Sequence, residues 1–130
     1  MFALEPDSPE IFVWLNQNSP KRPTISSWNM TEFSAALTFK QNLGALDGTE
    51  RHAILRDFRA AQGSLFDVIG VANEDFNRAA TFANQIDLRL RGSDALHLSI
   101  ASGNGLAILT LDKRMNAAAK MLGIALIELD

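Results

Sequence analysis

The run Leu106-Ala107-Ile108-Leu109-Thr110-Leu111 constrains this chain more than any other segment. It is almost continuously apolar, the composition of a strand covered on both faces, as in parallel sheets flanked by helices. Asp112 closes the run. A helical segment follows from about Lys113 to Leu122, stopped by Gly123, and Ile124-Ala125-Leu126-Ile127 reads as a last strand. Strand, helix and strand in this order predict an α/β domain with a mostly parallel sheet.

The preceding chain keeps the same alternation. A helix is expected from about Asp7 to Asn16, with Asp7 or Ser8 as cap and Pro9 at the first helical position. Ser19-Pro20-Lys21-Arg22-Pro23 is a turn, and Thr24-Ile25-Ser26-Ser27 a short strand. A second helix opens at Asn29 or Thr31, with Glu32 in its first turn and Gly44 placed to end it. A third starts at Asp47, where Glu50 completes a capping-box pattern, and runs to about Gln62. Leu65-Phe66-Asp67-Val68-Ile69 has strand composition. Asn73 to Leu88 reads as a fourth helix with Phe76, Ala79, Ala80 and Ala83 on its apolar face. Ser93 to Ala101 reads as a fifth, stopped by Gly103 and Gly105. The chain opens with a helix and offers only four short strands, so the sheet is expected to be short of a member.

The 130 residues amount to one domain, long enough to bury roughly two-thirds of the unfolded surface. The sequence has no cysteine, which removes disulfides and thiolate metal sites and suits a reducing cytoplasm. Apolar stretches fall far short of the roughly 20 residues of a membrane helix, and Met1 to Asp7 has no basic residue of the kind a signal peptide carries. A soluble cytoplasmic protein is expected. The net charge is −3, with 12 Lys and Arg against 15 Asp and Glu. That balance disfavours a static nucleic-acid binder but not a metal-dependent nuclease, whose site itself needs clustered carboxylates.

In open α/β sheets ligands bind beyond the carboxyl ends of the strands. Glu32, Asp94 and Asp112 are expected there or on neighbouring helix starts. Each has an ordinary explanation, because a carboxylate in a first turn stabilises a helix by about 0.3–1 kcal/mol and Asp112 suits an N-cap. Together they would converge on one edge of the sheet, where unpaired carboxylates repel. A hard divalent cation relieves that repulsion. Mg²⁺ or Mn²⁺ suits an oxygen donor set better than zinc when there is no cysteine and little histidine.

Three segments, Leu90 to Ala101, Ala107 to Met115 and Thr31 to Leu37, resemble the PIN-domain ribonucleases of the VapC toxin type. Leu90-Arg91-Gly92-Ser93-Asp94-Ala95-Leu96-His97-Leu98-Ser99-Ile100-Ala101 is similar to their "DALHLA" helix, and Ala107 to Met115 to their "T-x-D" strand end. Thr31-Glu32-Phe33-Ser34-Ala35-Ala36-Leu37 resembles their "T-E-x-x-x-A-L" motif. Glu32 and Asp94 lie 62 positions apart, and Asp94 and Asp112 lie 18 apart, separations that suit the family. The resemblance implies a three-layer α/β/α sandwich around a mostly parallel sheet. It implies a Mg²⁺-dependent endoribonuclease, the toxin of a type II toxin–antitoxin pair, with Glu32, Asp94 and Asp112 as catalytic metal ligands. An RNA substrate, an antitoxin partner and a homodimer follow from the same likeness. Family members begin with a strand ending in Asp-Thr-Ser or Asp-Thr-Asn and continue into a segment similar to Phe2-Ala3-Leu4-Glu5-Pro6-Asp7-Ser8. Met1 stands where that segment starts, so a single PIN-like domain over 1–130, lacking the first strand and the first acid, is expected.

Secondary candidates surround the acids. Thr110 shares a strand face with position 112 and can orient its carboxylate. Lys113 and Arg114, with Arg89 and Arg91, can hold RNA phosphates, although solvated charge is their default. His97 reads as a packed or hydrogen-bonded histidine, and Phe12, Trp14, Phe33, Phe39 and Phe58 as core or interface residues. Gly103-Asn104-Gly105 is a turn without the spacing of a phosphate loop. The competing reading is a catalytically silent interaction domain that binds a partner without turnover. A nucleotide-binding domain of receiver or flavodoxin type would need a glycine-rich loop or an early acidic cluster, and the sequence has neither.

Overall fold

The structure is a computed structural model that describes residues 23–61 and 64–127. The helix expected from about Asp7 to Asn16 lies outside the described residues. Two compact units make up the chain, here residues 23–69 and 70–127.

The first unit is built on a parallel pair, β1 (Thr24–Ser26) and β2 (Asp67–Ile69), with Thr24 opposite Asp67, Ile25 opposite Val68 and Ser26 opposite Ile69. Two helices, α1 (Ser27–Asn42) and α2 (Gly48–Ala61), connect them. The first helix starts earlier than the expected Asn29 or Thr31. The Ser26 backbone N–H donates to Asn29 Oδ1 at 2.8 Å, so a polar side chain inside the first turn serves the cap. Glu32 therefore sits in the second turn. The capping box expected at the next helix is present: Glu50 N–H donates to Asp47 Oδ1 at 2.7 Å, and Asp47 N–H donates to Glu50 Oε1 at 3.2 Å. Gly44, in the left-handed region at φ 81°, follows the end of α1.

Aromatic packing joins these elements. The Phe33 and Phe58 rings stack with centroids 4.2 Å apart, and Phe66 lies 6.1 Å from Phe58. All three are buried with Ile25 and Leu37. Burying such a side chain contributes about 1.5–3 kcal/mol, against about 1 kcal/mol for a cap. The cluster outweighs the caps in holding the two helices together.

The second unit contains α3 (Asn73–Ala83), a 3₁₀ turn (Ile86–Leu88), α4 (Gly92–Gly103) and α5 (Lys113–Leu122). The helix expected to reach Leu88 ends at Ala83. Hydrogen bonding shortens from Asn84 N–H to Ala80 O into Leu88 N–H to Gln85 O, and Arg89 closes the turn at φ 52°. This turn leaves Leu88 buried and Ile86 almost fully exposed. The buried face of α3 carries Asp75 and Ala79, while Phe76 of the expected face is half exposed.

Every residue of α4 from Ala95 to Ala101 is buried, as in a helix surrounded by other elements. The centre of the apolar run is covered as its composition requires, with Ile108, Leu109 and Thr110 all buried, while Leu111 at its end is 38% exposed. Ile108 and Leu109 both take part in strand bridges. Among the described residues Ile108 forms a parallel bridge with Leu126, closed by Ile108 N–H to Ala125 O at 2.9 Å and Ile127 N–H to Ile108 O at 2.8 Å. The expected last strand, 124–127, is the other side of that bridge. Among the described residues, the pairings in both units are parallel.

Candidate functional site

Asp112 sits where the buried run gives way to α5. Its Oδ1 accepts from Arg114 N–H at 2.8 Å and Met115 N–H at 3.4 Å, which makes it the helix N-cap. The ordinary explanation for this acid is therefore correct as far as Oδ1 goes. Oδ2 takes no part in either bond and, on a half-buried residue, remains available to a ligand. Thr110 fixes the approach: its buried Oγ1 accepts the Asp112 backbone N–H at 3.1 Å. Asn116, one turn into α5, donates from Nδ2 to Thr110 O at 3.2 Å. Strand end and helix start are thus joined from both directions, and the carboxylate direction is set by backbone.

Asp94 lies in the first turn of α4 and is half-buried. Among the described residues no hydrogen bond or ion pair engages its carboxylate. The helix beneath it is anchored by a polar cluster that sequence reading missed. Arg78 of α3 donates from Nη1 to Ser99 O at 2.9 Å, to Ser99 Oγ at 3.3 Å and to Asp75 Oδ1 at 3.3 Å. Ser99 Oγ donates to Asp75 O at 2.6 Å, and Asp75 Oδ2 accepts from Ala72 N–H at 2.9 Å. Asp75 and Arg78 have the three-residue spacing of a local ion pair, whereas Ser99 lies 24 positions from Asp75 and no local pattern marks it.

Glu32 belongs to the first unit, on α1, and is half-buried. Asp94 and Asp112 belong to the second. Among the described residues no group of three or more His, Asp or Glu is placed to hold a metal ion. The donor chemistry in the second unit does fit a hydrated hard cation, which keeps several waters and takes one or two carboxylates. Asp94 and Asp112 each offer an uncommitted carboxylate oxygen.

The secondary residues divide by exposure. Lys113, Arg114, Arg89 and Arg91 are exposed, with heads free to meet an anion. His97 is buried within α4 at 4% exposure, the packed histidine expected. Gly103, Asn104 and Gly105 form a helix-ending turn: Asn104 Nδ2 donates to Ile100 O at 2.7 Å, and Gly105 takes φ 63°. Phe33 and Phe58 are core, while Phe39 is 63% exposed. No described helix is long and apolar enough to cross a membrane.

No protein-family model matches the chain, and no curated protein does. Solved structures are similar to it. FitAcB from Neisseria gonorrhoeae matches 95% of this chain and 88% of its own length, with a TM-score of 0.69 at 14% identity. PAE2754 from Pyrobaculum aerophilum matches 79% of this chain, with a TM-score of 0.60 at 23% identity. The chain spans 64% of the length of PAE2754. At such identities the likeness speaks for fold, and the chain has a PIN-like α/β/α fold.

Proposed function

We propose that this chain is a metal-dependent endoribonuclease of the VapC type, the toxin of a type II toxin–antitoxin pair. One observation carries the reading: Asp112, with Oδ1 spent on the helix start, Oδ2 uncommitted and its main-chain N–H held by Thr110, in a chain of PIN-like fold. In this reading Asp94, Asp112 and Glu32 hold Mg²⁺ or Mn²⁺. When bound, such a cation supplies a Lewis acid at a phosphoryl oxygen and acidifies a water. Thr110 holds the Asp112 main chain, and Lys113 and Arg114 draw the RNA backbone towards the acids. An antitoxin, a homodimeric state and a cytoplasmic setting belong to the same reading.

A second reading, a silent PIN-like interaction domain, is favoured by the lack of a three-carboxylate group among the described residues. One experiment separates the two. The purified chain is incubated with single-stranded RNA in Mg²⁺, in Mn²⁺ and in EDTA, beside Asp94→Asn and Asp112→Asn. The nuclease reading expects metal-dependent cleavage by the parent and none by either variant. Cleavage that survives in both variants sinks the site assignment. A folded parent that never cleaves RNA leaves the interaction domain.

A further inference from the structure

The second unit contains a cleft of about 350 Å³ directly beside Asp112. Lys113, Asn116 and Lys120 of α5 line one side; Leu111, Leu126 and Ile127 line the other. The helix is two-faced. Met115, Ala118 and Ala119 are buried, whereas positions 113, 116 and 120 follow the three- and four-residue spacing of one face. Both lysines are exposed, and residues 113–127 contain three basic residues and no acid. The Asn116 amide is already committed to Thr110 O, which holds the middle of this face against the strand end.

We propose that this cleft is a subsite for single-stranded RNA, taking two backbone phosphates on Lys113 and Lys120 and a base against the aliphatic wall. The inference rests on the nuclease reading, because Thr110, Leu111 and Lys113, on either side of Asp112 in the chain, line the cleft. The chemistry supports a nucleotide in three ways. The lysines stand about 10 Å apart along the helix axis at 1.5 Å per residue, so they address successive positions on a strand rather than one small anion. The volume falls within the range of roughly 300–1,000 Å³ typical of ligand clefts. Leu111, 38% exposed, and the half-buried Leu126 and Ile127 offer apolar surface on which a base can lie without a specific hydrogen bond. The subsite would therefore hold RNA with little sequence preference and place the next phosphodiester near Asp112.

The test measures binding without turnover. The 130-residue chain is titrated in EDTA with a short fluorescent single-stranded RNA, by anisotropy, across a series of salt concentrations. Lys113→Gln with Lys120→Gln should weaken binding roughly tenfold and flatten the log K against log salt slope by about 1.4, at about 0.7 per phosphate contact. Arg56→Gln with Arg59→Gln on α2, which removes an equal charge elsewhere, should change neither. Circular dichroism confirms that each variant is folded. An unchanged slope in the double lysine variant overturns the subsite even if the parent cleaves RNA. Conversely, lysine-dependent binding by a chain that never cleaves supports the subsite and rejects the nuclease reading. An acidic peptide that loses binding in the lysine variant while RNA does not would assign the cleft to a protein partner instead, and overturn the proposal.

Discussion

The Arg78 guanidinium donates to the Ser99 backbone carbonyl across 2.9 Å, tying α3 to the middle of the helix that begins with Asp94. A carbonyl within a helix already accepts from the following turn, so this is a second bond on the same oxygen. Asp75, with its side chain 11% exposed, shares the same nitrogen at 3.3 Å.

Replacing Arg78 should therefore cost more than an exposed arginine would. Arg78→Met keeps much of the apolar stem but leaves the Asp75 carboxylate without its cation. The Arg78 side chain is 34% exposed, so solvent screens part of the ionic component. We expect a loss of about 1–3 kcal/mol, the usual cost of an unsatisfied buried polar group. Urea denaturation followed by circular dichroism measures it, and an unchanged midpoint would mean that the cluster is incidental.

Gly103→Ala should change sign with its background. Alanine in a helix normally gains about 0.5–1 kcal/mol over glycine. Here a β-carbon at position 103 would stand 3.0 Å from Arg78 Cζ and closer still to Nη1, which must then leave Ser99. With Arg78 present, the substitution should destabilise by about 1 kcal/mol, the worth of the hydrogen bonding lost. In an Arg78→Ala background it should stabilise by about 0.5–1 kcal/mol. A double-mutant cycle with equal effects in both backgrounds would contradict this packing.

Asp112 carries two duties that different substitutions separate. Asp112→Ala removes the cap on α5 and should cost about 1 kcal/mol. Asp112→Asn keeps an oxygen for the Arg114 and Met115 amides and should melt within a degree or two of the parent, since Asn caps as well as Asp. On the proposed nuclease reading, both should abolish metal-dependent RNA cleavage. Differential scanning fluorimetry and an RNase assay on the same samples decide it. Cleavage by the Asn variant would reduce Asp112 to a helix cap.

Several helix starts and stops were legible in the sequence from partners within a few positions. Asp47 with Glu50, Asp112 ahead of Lys113–Leu122, and Gly123 at φ 72° all behave as their spacing predicts. The early start of α1 was missed because Asn29 caps Ser26 in place of the usual Glu or Gln. The candidate acids were legible by type and order. Thr110 was expected to orient the Asp112 carboxylate; its hydroxyl instead accepts the Asp112 main-chain N–H, two residues on.

Local chemistry could not show which face of α3 is buried. Its alanines and Phe76 suggested one stripe, yet Asp75 is inside because Arg78 and Ser99 satisfy it, and Ser99 is 24 positions away. Likewise the run 106–111 announced its own burial but not its pairing, which depends on where Ala125 and Ile127 come to lie. Sequence alone determined the Asp47–Glu50 capping box, the Asp112 cap and the covered centre of the last apolar run, since each depends on neighbours a turn away or on composition. Tertiary structure alone decided the extent of strand pairing, the Arg78 cluster beneath Asp94 and the cationic cleft beside Asp112. Those require groups distant in the chain to meet, and a desolvated charge or an open backbone bond finds its partner only after the fold has formed.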